Sequence, residues 1–220
     1  MMQKPQNSFD EVPESVFEEV RAIMQKVRDT DEETFHHCVR VSRGARLLAQ
    51  AAGLSEYEQK VAEYAGLFHD IGKVFVPTTI INKPGKLTDE EYDIMKSHPM
   101  KSVQMIEPLC RHQFFKDLIP GIMHHHERVD GRGYPFKTAG ADIPYISKVI
   151  LVADTWDAMS MDRAYRKGLP VAVVEKELRD CSGTQFDPQL VEVFLTARRF
   201  WARFAEEIEQ EMLETLAQAA

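Results

Sequence analysis

One pattern constrains this chain more than any other. Histidines and aspartates return about every thirty residues, each time in a segment of helical periodicity: His37, His69-Asp70, His98, His125-His126 and Asp154. Repeated returns to one chemistry imply a helical bundle whose facing sides converge on one cluster. The densest return is Leu67-Phe68-His69-Asp70-Ile71-Gly72-Lys73, at the end of an apolar run. Neighbours on a helix project about 100° apart, so His69 and Asp70 can serve adjacent ions or one shared site. A carboxylate has two oxygens and can bridge two metals. Lys73 adds a cation where a phosphate oxygen can sit.

The net charge of −8 argues against bulk binding to nucleic-acid backbones, yet leaves room for a small anion where cations are concentrated. Cys38, Cys110 and Cys181 are odd in number and far apart, which reads as reduced thiols. No apolar run reaches membrane-spanning length and no signal-peptide core is present, so a soluble cytoplasmic protein is expected. The 220 residues suit one domain with appendages.

Taken in order, residues 1–29 read as a polar tail and a first helix carrying Val16, Phe17, Val20, Ile23, Met24 and Val27. Asp31-Glu32-Glu33 opens the next helix with acids suited to its N-terminal dipole. Glu33 and His37 are also i and i+4, so both project from one face and can hold one ion. Capping-box patterns at Ser55 and Thr88 start further helices. Val74 to Leu87 reads as a long loop over the site, with Lys83 and Lys86 as surface charge. Pro99 kinks or restarts the helix that carries His98. Phe114 to Glu127 reads as a helix ending in three histidines, of which two can face a cluster while the third faces elsewhere. Asp154 falls beside buried residues and needs a partner. Beyond residue 197, Phe200, Trp201, Phe204, Ile208, Met212 and Leu216 form the apolar stripe of a C-terminal amphipathic helix, 198–220. That stripe packs on the N-terminal helix or forms a homodimer contact through the terminal helices. No β-strand is expected.

Several stretches together resemble the HD-GYP domains, a branch of the HD metal-dependent phosphohydrolases. They are His69-Asp70-Ile71-Gly72-Lys73, Lys83-Pro84-Gly85-Lys86-Leu87-Thr88, His98-Pro99, the run from His125 to Pro135 with its Gly133-Tyr134-Pro135, Val152-Ala153-Asp154, Arg163-Ala164-Tyr165-Arg166 and Phe186-Asp187-Pro188. The resemblance covers about residues 30 to 197. It implies an all-α, HD-type helical bundle around a di- or trinuclear metal site, with two or three divalent ions, iron or manganese. By the same resemblance the ligands are His37, His69, Asp70, His98, His125, His126 and Asp154, with Glu33 added in three-metal members. Lys73 matches the lysine near the scissile phosphate, Arg163 and Arg166 match positions that contact the dinucleotide, and Gly133-Tyr134 shapes the pocket wall. Ser102, Ala164, Lys137 and Thr138 depart from the family pattern, Lys137-Thr138 replacing a usual Gly-Leu and Ser102 a usual Gly; these departures bear on substrate fit rather than on the ligands.

The function implied is hydrolysis of cyclic di-GMP to pGpG, and on to GMP after a second cut, by a metal-bridged hydroxide, with Asp70 and Lys73 as the catalytic pair. The alternatives are a slow or non-hydrolysing cyclic di-GMP sensor and a hydrolase of another cyclic dinucleotide. An upstream regulatory domain or protein is the partner expected besides the substrate.

Overall fold

The computed structural model describes residues 9, 11–162 and 167–198. Val16, Val20, Met24 and Val27 recur every third or fourth residue, and they form the buried stripe of α1 (Glu14–Thr30). Asp31 caps α2 (Glu32–Ala51), accepting from the Glu33 N–H at 3.1 Å and from the Thr34 hydroxyl at 2.7 Å. A Ser55–Glu58 capping box starts α3 (Glu56–Phe68). These two helices lie unusually close. A Cβ on Gly66 would come within 3.0 Å of Ser42 Cα and 3.2 Å of Val41 O, so only glycine lets α3 approach α2 there.

The chain then forms a 3₁₀ turn (Ile71–Phe75), α4 (Thr78–Ile81), α5 (Asp89–Met95) and α6 (His98–Ile106). After these come α7 (Gln113–Met123), α8 (Tyr145–Ser160), α9 (Val171–Asp180) and a helical segment over 188–198. No β-strand occurs among the described residues; the one extended contact is an isolated bridge between Ser182 and Phe186. α8 packs against α2, α3 and α7, and α6 packs against the 3₁₀ turn. One apolar core runs through them, with Phe68, Phe114, Phe115, Phe186 and Phe194 fully buried. Burying a side chain of that size stabilises a fold by roughly 1.5–3 kcal/mol. Phe9, Phe17 and Tyr64 close over Phe114, at ring separations of 4.8 to 6.1 Å.

Two local readings are corrected, and one, at Pro99, resolves to a restart rather than a kink. The stretch Val74 to Leu87 is not loop throughout, since it holds the end of the 3₁₀ turn and the one-turn α4. The helix through His98 is two helices, with Pro99 in the first turn of α6, where its missing N–H costs nothing. α7 stops at Met123 rather than Glu127, and His124 to Glu127 form a turn closed by the Glu127 N–H to His124 O, 2.8 Å.

α1 buries its apolar face in the shared core. The C-terminal stripe expected from Phe200 onward, and Arg163 and Arg166, lie outside the described residues. Among the described residues no helix is long and apolar enough to cross a membrane, and Cys38, Cys110 and Cys181 are free thiols.

Candidate metal centre

Helix ends build this site. His69 directly follows α3, His98 follows α5 by three residues, and His125 follows α7 by two. Carbonyls in the last turn of a helix have no intrahelical partner. Each of these imidazoles uses one, three residues back: His69 Nδ1 to Gly66 O at 2.7 Å, His98 Nδ1 to Met95 O at 2.8 Å, His125 Nδ1 to Ile122 O at 2.6 Å. A carbonyl only accepts, so the proton sits on Nδ1 and each Nε2 carries a lone pair. Those lone pairs point inward at one another. His98 Nε2 lies 3.2 Å from the Nε2 atoms of both His125 and His126. The lone pairs of His98 and His125 face each other at that distance, an arrangement that a cation between them would stabilise. The negative ends of three helix dipoles favour the same charge.

Asp70 divides the cluster. Its Oδ1 stands 3.0 Å from His98 Nε2 and 3.9 Å from His125 Nε2. Its Oδ2 stands 3.4 Å from the Nε2 atoms of both His37 and His69. Asp154 Oδ1 closes the second group, 3.1 Å from His37 Nε2 and 3.9 Å from His69 Nε2. Two sets of potential ligand atoms result: Asp70, His98, His125 and His126, and His37, His69 and Asp154, with the second Asp70 oxygen between them. The buried His37 Nε2, His69 Nε2 and Asp70 Oδ1 have no hydrogen-bond partner. Buried polar atoms are rarely left so, and a donor set of imidazoles and carboxylates around such orphans fits divalent cations. All seven ligands predicted on sequence are thereby brought together. Glu33 is not among the converging atoms; it lines the cleft beside His37.

Electrostatics follow from burial and crowding. Burial opposes a charge on His37, but Asp154, Asp157 and Asp70 outweigh it and raise the pKa to about 10. Burial, helped by His98, pushes His126 down to about 3. Burial would raise Asp70, yet Lys73, His69 and His98 hold it well below the usual carboxylate range. Asp154 is likewise lowered, His37 overcoming its burial. Lys73 contacts Asp70 Oδ2 directly and faces a cleft of about 280 Å³ that Glu33, His37, Arg40, Asn82 and Lys83 also line. Lys83 pairs with Glu91 at 2.6 Å, so it is more than the plain surface charge expected.

Glycines set the spacing. A Cβ on Gly72 would meet His98 O at 2.2 Å and Ser102 N at 2.5 Å, so the start of α6 lies directly on the His69-Asp70 turn. Ser102 is fully buried there, accepting from the Gly72 N–H at 2.8 Å and donating to His69 O at 2.9 Å. It ties the turn to α6. Gly133 packs on the backbone of His126 to Arg128, where a Cβ would come within 2.6 Å. Tyr134 is thereby laid flat on His126, ring centroids 4.6 Å apart and planes 27° apart. His124 turns away toward Phe136, 4.9 Å off.

Sequence reasoning missed two residues. Asp157 holds His37 Nδ1 at 2.7 Å, and Arg40 grips the same carboxylate. The available signal was the i, i+3 spacing of Asp154 and Asp157 on one helix.

The chain matches the family model described as "HD domain" over residues 21–190. It is 38% identical over 190 residues to cyclic di-GMP phosphodiesterase PA4108 of Pseudomonas aeruginosa, covering 86% of this chain and 45% of that protein. It is 34% identical to 3'3'-cGAMP-specific phosphodiesterase 2 of Vibrio cholerae, covering 86% of this chain and 36% of that protein. The chain thus spans half or less of the length of these relatives. In fold it is similar to the crystal structure of a cyclic GMP-AMP-specific phosphodiesterase of V. cholerae, V-cGAP3, with TM-score 0.65 and 20% identity over 89% of this chain and 52% of that one. With its helix-end histidines, the aspartate set between two groups of side chains and the Gly-Tyr-Pro loop folded onto them, the chain belongs to the HD domain family, in its HD-GYP branch.

Proposed function

We propose that this chain is a metal-dependent phosphodiesterase that opens a cyclic dinucleotide, cyclic di-GMP in the first place, to the linear pGpG and on to GMP after a second cut. The observation that carries the reading is Asp70, whose two oxygens address two separate ligand sets while Lys73 contacts it from the cleft. The ligands proposed are His37, His69, Asp70 and Asp154 for one ion and Asp70, His98, His125 and His126 for the other. Glu33, one turn before His37 at the cleft, is the candidate for a third. Mixed imidazole and carboxylate donors suit iron or manganese better than magnesium or calcium. Such ions polarise a phosphoryl oxygen and acidify water.

The chain's own residues do the rest. Lys73 stands where negative charge accumulates on the phosphoryl oxygens and offsets it. Tyr134 shields His126 from water, and its phenol stays neutral because burial, then Asp70, raises its pKa. Gly133 makes that placement possible. Arg163 and Arg166 are assigned to the second phosphate or a guanine on sequence resemblance. A hydrolase of 3'3'-cGAMP is the second reading, favoured by the names of three relatives. A homodimer through the terminal helices rests on the sequence stripe from Phe200 alone. The division at residues 30 and 197 is proposed likewise, although a family match from residue 21 and the burial of α1 favour placing that helix inside the domain.

The test is product analysis with manganese- or iron-loaded protein offered cyclic di-GMP, 3'3'-cGAMP and cyclic di-AMP in parallel. Cyclic di-GMP is expected to be cleaved fastest. Lys73→Ala is expected to keep its metal and lose roughly 10²–10³-fold in kcat. Binding of cyclic di-GMP with no product from either protein would make the chain a sensor instead.

A further inference from the structure

His37 is held unlike the other histidines of the centre. His69, His98 and His125 give Nδ1 to a carbonyl at a helix end. His37 sits well inside α2, where nearby carbonyls are engaged in the helix's own ladder. Its Nδ1 must be answered from another element. Asp157 of α8 does so, with Oδ2 at 2.7 Å and both side chains buried. Arg40, one turn after His37, then closes a fork on that carboxylate. Its Nε reaches Oδ1 at 2.6 Å and its Nη2 reaches Oδ2 at 3.0 Å. Two parallel bonds to a planar guanidinium fix a carboxylate in direction as well as place.

We infer that Asp157 and Arg40 form a positioning pair for His37, fixing the tautomer and ring orientation that aim Nε2 at the His69–Asp154 position, without either being a ligand. The inference rests on the two-cation reading of the cluster and is independent of the substrate. Asp157 keeps the His37 proton on Nδ1 and makes the ring a better donor at Nε2. Arg40 has a second task. Asp157 lies three residues from Asp154 on the same helix face, and a carboxylate there is itself a candidate ligand. The arginine fork commits both its oxygens elsewhere.

Cobalt(II) titration of the chelator-stripped full chain, followed by absorbance against a competing chelator, tests this. In a His98→Ala background, which leaves the His37 position to be read, Asp157→Ala is expected to weaken binding about 10–100-fold. In a His37→Ala background the same change is expected to do nothing. Arg40→Ala is expected to weaken the His37 position by less, and to add nothing once Asp157 is gone. Asp157→Asn keeps the side-chain shape and is expected to fall on the same side as Asp157→Ala, which separates lost positioning from lost folding. Equal weakening in both backgrounds, no change in either, or additive effects of Arg40 and Asp157 would overturn the inference. A wild-type chain that binds fewer than two cobalt ions overturns the two-cation reading beneath it, a result that can be told apart from two bound ions and indifferent Asp157 variants.

Discussion

Lys137 and Gly72 show how single positions carry backbone demands that composition hides. Lys137 has φ of 58°, in the left-handed region that suits glycine, and its side chain is exposed. The family's usual glycine there has a physical reason, and lysine holds the same turn under strain. Lys137→Gly is therefore expected to stabilise the chain by about 1 kcal/mol, read from the urea midpoint at unchanged slope; a loss of stability would show that the lysine side chain contributes more than the backbone costs. Gly72 is the opposite case, because its φ is ordinary and its constraint is space. A methyl group there would overlap His98 O and Ser102 N. Gly72→Ala is expected to destabilise the chain and to lower its cobalt stoichiometry together, since α6 must back away and take His98 with it. A variant that keeps wild-type melting and metal content would mean the turn yields without moving His98.

At the scale of elements, the order of helices was readable from the spacing of apolar residues and from caps. Ser55 and Thr88 start α3 and α5 where their capping boxes place them. The residues that converge were readable because each sits in a local motif. What the sequence did not reveal is where α7 stops. α7 gives way to a turn at His124, and this stop frees His125 and His126 to face the cluster together. Such ends depend on tertiary contacts, here Tyr134 N–H to His126 O at 3.3 Å and the packing of Gly133, rather than on propensity. Asp157 and Arg40 were missed for a related reason: Asp157 meets His37 and Arg40 across 120 and 117 residues of sequence, and its i, i+3 spacing from Asp154 is the one local sign of that contact. The cap of α5 also reaches the cleft. Glu91 accepts from the Thr88 N–H at 2.7 Å and from Lys83 Nζ at 2.6 Å, so one carboxylate joins the helix start to the cleft wall. Thr88→Ala is expected to cost about 1 kcal/mol of stability, measured by chemical denaturation, with metal content unchanged. A simultaneous loss of metal would mean that α5 and the centre are less separable than their contacts suggest.

Across the whole molecule the cluster is placed to act as a clasp once cations fill it. Its potential ligand atoms come from α2, the end of α3, the start of α6, the turn after α7, and α8. Those elements also share the apolar core, but at their meeting point the core is interrupted by inward-facing lone pairs and two carboxylates. With no cation present, several buried atoms of the convergence lack partners. Cations that bind only the folded chain add RT ln(1 + [L]/Kd) to its stability, about 2.7 kcal/mol per site at a hundredfold excess over Kd. Two such sites give roughly 5 kcal/mol. For a chain of this size each kcal/mol moves the melting temperature by about 2–4 °C. Stripping the metal with a chelator is therefore expected to lower Tm by roughly 10–20 °C, and restoring manganese or cobalt in steps to raise it again in proportion to the logarithm of free ion. His37→Ala and His98→Ala each remove one ligand set and are expected to show about half the response. Asp70→Ala, which serves both sets, is expected to lose nearly all of it. A chelated chain that melts within about 2 °C of the loaded one, at saturating metal, would mean that the five elements are held by the apolar core alone and that the cluster is not a clasp.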